Sequence, residues 1–109
     1  METKPVPIPE TFYQFAQHIK VKYVSDLAQS QGAVGEDVKI SNDILLQPDT
    51  VGYHRPSEAI EQTFFHEYAH KMFDFAGRSD LSDDEKLVDL CGHLMHELWA
   101  TAEYGKGRK

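Results

Sequence analysis

The sequence predicts an α+β domain: an N-terminal helix, a small antiparallel sheet of two or three strands, and two further helices. Three observations carry that prediction. Apolar residues recur at helical spacing over three separate stretches, beginning near Glu10, Ile60 and Asp83. Between the first two, from Ala33 to Tyr53, the period shortens towards two and turn residues accumulate. A chain of 109 residues, 40% hydrophobic, is large enough for one compact core and too small for two.

Residues 1–9, with prolines at 5, 7 and 9, read as an extended arm. From Glu10 to Gln31, the residues Phe12, Phe15, Ala16, Ile19, Tyr23, Leu27 and Ala28 fall at helical spacing, and Gly32 supplies a stop. Val38-Lys39-Ile40 then alternates, Ser41-Asn42-Asp43 reads as a turn, and Ile44-Leu45-Leu46 as the returning strand. Thr50-Val51-Gly52-Tyr53 is a candidate third strand. Arg55-Pro56-Ser57 leads into the central helix with Ser57 as its expected N-cap, and Gly77 ends it. Ser82 followed by Glu85 fits a capping box for a last helix from Asp83 to Tyr104. The expected core stripe of that helix is Leu87, Val88, Cys91, Leu94, Met95, Leu98, Trp99 and Ala102. The domain is thus expected over residues 10–105, followed by a basic tail at 106–109.

Composition narrows the functional classes. Eighteen acidic against eleven basic residues leave a net charge of −7, which argues against a sequence-independent grip on nucleic-acid phosphates. No apolar run approaches bilayer length, so no membrane partner is expected. The first residues lack the basic-then-apolar pattern of a secretory signal, and the single Cys91 cannot form an internal disulfide. A reducing, cytoplasmic setting is the expectation.

One stretch of the central helix carries chemistry. His66-Glu67-Tyr68-Ala69-His70 places two imidazoles four residues apart, on one side of a helix and about 6 Å apart along its axis. One metal ion can accept a nitrogen from each ring. Glu67 sits where a carboxylate can reach a water beside the metal without ligating it. Ile60, Phe64, Phe65, Tyr68, Ala69, Met72, Phe73 and Phe75 form a broad apolar arc. Thr63, His66, Glu67, His70 and Asp74 share the remaining arc, which should therefore face a cleft rather than bulk water.

A third ligand is expected from the last helix. Glu85 lies 15 residues beyond His70, within reach of a helix–turn–helix reversal. Asp89, one turn on, is placed to accept a hydrogen bond from the free nitrogen of a ligand histidine. Asp89 and Asp84 are the alternative third ligands, and Glu85 competes with its capping role.

HEYAH followed by Glu85-x-x-x-Asp89 resembles the gluzincin clan of HExxH zinc metallopeptidases. The small size is similar to the minigluzincins and the short ImmA/IrrE-type peptidases of phages and mobile elements. The likeness spans roughly residues 34–104; HEYAH is its specific part. It implies a minimal zincin-like fold with Zn2+ held by His66, His70 and Glu85, Asp89 supporting a ligand ring, and Glu67 as general base. It further implies a protein or extended peptide substrate aligned by strand addition to a hairpin edge. The interval from His70 to Glu85 is short, as in the miniature members.

Other chemistry-bearing residues have plainer readings. His96, Tyr53, His54 and Tyr104 are candidate donors to an oxyanion. His18 reads as a surface residue, and Asp74 as either a surface residue or a support for His70. Cys91, His93 and His96 raise a second or structural zinc site, against which Cys91 points into the apolar stripe. The competing function is a zinc-stabilised, non-catalytic binding or regulatory protein of phage or mobile-element type. The expected assembly is a monomer, or a homodimer through an exposed strand edge.

Overall fold

The structure, a computed structural model, describes residues 2–105. It is α+β, with a four-stranded mixed sheet and four helices, two of them long. β1 (Thr11–Gln14) and β2 (Gln17–Tyr23) form a hairpin, followed by a short α1 (Leu27–Gln31). β3 (Gly35–Val38) and β4 (Asp43–Leu46) form a second hairpin. Then come α2 (Ser57–Phe75), the single-turn α3 (Ser79–Ser82) and α4 (Glu85–Thr101). The basic tail at 106–109 lies outside the described residues.

The expected N-terminal helix is replaced by the β1–β2 hairpin and α1. The stretch His18-Ile19-Lys20-Val21-Lys22-Tyr23 alternates polar and apolar, and that period-two signal prevails over the helical spacing of the aromatics. Ile19 is completely buried and Lys20 is exposed. A two-residue turn, Phe15-Ala16, joins the strands, with both residues at left-handed φ of 50° and 62°. Hairpin twist favours this turn, but Asn-Gly serves it better than Phe-Ala. Hence the sequence carries no turn signature there. Gly32 does end α1 in left-handed conformation, as expected.

The sheet order is β1-β2-β4-β3. It is mixed rather than antiparallel, because β2 and β4 run parallel, with Val21 opposite Ile44 and Tyr23 opposite Leu46. The expected hairpin around residues 38–46 is present, but its first strand begins at Gly35, and Ile40 sits fully exposed in the turn. The third strand reduces to an isolated bridge between Thr50 and Tyr53.

α2 lies across the sheet. Phe64 and Phe65 join Ile19, Ile44 and Leu46 in the core, with Val6 and Ile8 of the N-terminal arm packed against them. The arm also pairs with α4, since Lys4 N donates to Ala100 O at 2.8 Å. α2 begins at Ser57 without a side-chain cap. It ends in a Schellman arrangement: Arg78 N donates to Phe73 O, Gly77 N donates to Asp74 O, and Gly77 has φ of 74°. The expected capping box is overturned. Asp84 caps α4 by accepting from Leu87 N at 3.1 Å, because Ser82 is turned towards α2.

α4 packs on α2 through Val88, Gly92, His96 and Ala100, one residue per turn. Gly92 permits the closeness: a Cβ there would lie 3.1 Å from the backbone N and Cα of His66. The expected core stripe is corrected here. Leu94, Leu98 and Trp99 are all more than half exposed. Among the described residues no helix is long and apolar enough to cross a membrane.

Candidate metal centre

Two helices and the turn between them build the site. On α2, the four-residue spacing brings the His66 and His70 ring centroids to 5.0 Å. Gly77 and α3 reverse the chain, and the first turn of α4 returns Glu85 to both rings. Glu85 Oε1 lies 2.9 Å from His70 Nε2, and Oε2 lies 3.4 Å from His66 Nε2. One ligand atom from each of the three residues falls within 4.8 Å of the others.

The remaining ring nitrogens have partners that set their tautomers. His66 Nδ1 lies 3.4 Å from Asp89 Oδ1, a carboxylate that can only accept. His70 Nδ1 lies 3.1 Å from Ser82 Oγ, whose own hydrogen is directed to the His70 carbonyl. The hydroxyl oxygen therefore accepts from Nδ1–H. With Nδ1 turned to these acceptors, both rings direct Nε2 at Glu85. Two imidazole nitrogens and a carboxylate converge on one point, an arrangement a cation can occupy. The donor set thus fits a divalent metal of the kind that accepts imidazole and carboxylate.

Glu67 lies beside this cluster without belonging to it. It is 8% exposed and borders the cleft into which the cluster opens. Burial, and then repulsion from Asp37, Glu85 and Glu36, push its carboxyl up to about 8, with Lys71 opposing. The β3 backbone passes directly over it. A Cβ on Gly35 would sit 2.4 Å from Thr63 Cγ2 and 3.0 Å from Glu67 Oε2, so any side chain there would collide with both. Lys71, 2% exposed, pairs with Asp37 at 2.7 Å and donates to Val38 O at 3.1 Å, tying α2 to β3. Desolvation raises Asp37 above the usual carboxylate range despite that lysine.

The cluster opens into a cleft of about 920 Å³, walled by Gly35, Glu36 and Asp37 of β3, by α2, and by Glu85 and Asp89 of α4. Tyr53 also lines it. The other three oxyanion candidates do not line this cleft. His54 pairs with Asp49 at 3.3 Å, and Tyr104 is exposed. His96 is buried with its nitrogens 2.9 Å from Glu61 Oε1 and 3.0 Å from Gln62 Oε1. Cys91, His93 and His96 form no second cluster among the described residues; His93 faces Asp89 at 3.4 Å instead. His18 is exposed and stacked on Tyr13, as expected. Asp74 turns to Lys39 at 3.7 Å, and the support of His70 falls to Ser82.

Sequence reasoning therefore assembled His66, Glu67, His70, Glu85 and Asp89, and missed Ser82, Lys71 and Gly35. Ser82 was hidden by its match to a capping box. Lys71 carried a spacing signal, four residues after Glu67 on the same helix face. Gly35 carried none. In comparisons with protein-family models, curated proteins and solved structures, nothing matches this chain.

Proposed function

We propose that the chain is a zinc-dependent metallopeptidase with a minimal zincin-like arrangement, hydrolysing a peptide bond in an extended substrate. The observation that carries the reading is the convergence of His66, His70 and Glu85 beside a buried carboxylate that is not part of the cluster. Zinc held by these three residues would polarise the scissile carbonyl and make water acidic enough to lose a proton near neutral pH.

The chain's own residues do the rest. Glu67 accepts the proton of the attacking water and returns it to the leaving amine. Burial and neighbouring acids raise its carboxyl to about 8, and a cation beside it would draw it back towards the ionised form that a base needs. Asp89 and Ser82 hold the rings in the tautomers that ligation requires. β3 is an edge of the sheet and lines the cleft, so it offers backbone groups to an extended peptide. Gly35 keeps that edge low above Glu67, and the Tyr53 phenol is the candidate donor to the oxyanion.

Metal analysis of the purified protein combined with Glu67→Gln tests the reading. One zinc per chain is expected in both proteins, with hydrolysis of an unstructured protein substrate falling about 10²–10⁴-fold in the variant. Equal activity in the two would end the enzymatic reading, and zinc retention without hydrolysis in either would favour a non-catalytic zinc protein.

A further inference from the structure

α4 has two faces, and its leucines are on the unpartnered one. Val88, Gly92, His96 and Ala100 face α2, yet three of these four contribute little apolar bulk. Leu90, Leu94 and Leu98, at 55%, 56% and 63% exposure, form a second one-per-turn row. At about 100° per residue that row lies roughly 160° around the helix from the buried one. Leu87 and Cys91, both half-buried, fill in its border. Three of the helix's four leucines thus point away from the domain's own core.

We infer that this row is the interface of a two-fold homodimer, with α4 packed antiparallel against α4 of a second copy. A row spaced by four residues is self-complementary, because such ridges pack into the matching grooves of an identical helix. A two-fold axis at Leu94 sets Leu94 against its own copy and Leu90 against the copy's Leu98. The flanking charges favour this direction. Lys86, His93 and Glu97 share one border of the row, and the antiparallel arrangement brings each Glu97 level with residue 91 of the other copy, between Lys86 and His93. A parallel two-fold pairing would instead set this charged border against the apolar border of Leu87 and Cys91. A single helix-length ridge buries less than the roughly 800 Å² per partner of a stable interface, so the dimer dissociates in the micromolar range or above. It leaves Glu85 and Asp89 on the α2 side, and both clefts open.

Sedimentation velocity over a concentration series, from low micromolar to near-millimolar, tests this on the full chain. The wild type is expected to pass from monomer to dimer, and Leu94→Glu to stay monomeric with an unchanged circular-dichroism spectrum, since that side chain bears no core contact. Leu94→Cys in a Cys91→Ser background is expected to give a disulfide-linked dimer under mild oxidation, where Lys20→Cys in the same background does not. A wild type that remains monomeric throughout overturns the inference. So does a dimer that survives Leu94→Glu, or a Leu94→Cys variant that cross-links no better than the Lys20→Cys control.

Discussion

Glu67 is the residue at which stability and the proposed chemistry oppose each other. Its carboxyl is largely buried and lies near three other acids, so its folded-state value of about 8 stands above the ordinary value of 4.5. A carboxyl raised in the folded state is ionised first in the unfolded chain, so the metal-free protein loses stability as pH rises from about 4.5 to about 8. Linkage bounds that loss at roughly 5 kcal/mol. Glu67→Gln should remove this part of the pH dependence, leaving that of the raised Asp37. Urea melts of the metal-free proteins at pH 5 and pH 8 check this: the variant gains midpoint over wild type only at the higher pH. Ser82 gives a second test. Ser82→Ala leaves His70 Nδ1 without its acceptor, and zinc affinity, measured by competition with a chelating dye, should fall about 10–100-fold.

At the scale of elements, two short features decide how the pieces meet. The β1–β2 turn holds Phe15 and Ala16 at positive φ, a conformation in which a non-glycine residue costs about 1 kcal/mol or more. Replacing Phe15-Ala16 by Asn-Gly should raise stability by about 1 kcal/mol in chemical denaturation, after the loss of the Phe15–Phe75 ring contact at 6.4 Å is offset. The second feature is the α2–α4 crossing at Gly92. Gly92→Val forces a branched side chain against the His66 backbone, which pushes α4 and its two carboxylates away from the rings. Such overpacking costs about 1–3 kcal/mol, and zinc binding by calorimetry should weaken more than the melting temperature suggests. The same crossing explains why the stripe of α4 was misread. Helical spacing identifies an apolar face, but a glycine and an alanine on the opposite face let the backbones approach more closely, and close approach chose the contact.

At the scale of the molecule, the centre joins segments that are otherwise held only by a small core. α4 reaches the sheet mainly through α2, and its first turn meets α2 through Glu85 and Asp89. An ion shared by α2 and α4 should therefore act as a clamp. At a zinc concentration about 100-fold above the dissociation constant, mass action adds about 2.7 kcal/mol. For a domain of this size that is a rise of about 10–20 °C in Tm, reversed by a chelator. Differential scanning fluorimetry checks it, and Glu85→Ala should abolish most of the shift.

The sequence alone determined how His66 and His70 face each other, because four residues on a helix fix which way two imidazoles face whatever surrounds them. It also located the β3–β4 hairpin and the glycine stops at Gly32 and Gly77, which depend on local backbone preferences. Tertiary structure decided what local pattern leaves degenerate. Residues 10–31 fit a helix and a strand about equally well, and pairing of β2 with β4 resolved them into a hairpin. Ser82 fits a cap and a hydrogen-bond partner, and proximity to His70 chose the second. The leucines of α4 form an apolar face either way, and only the approach of Gly92 to His66 decided that this face turns outward.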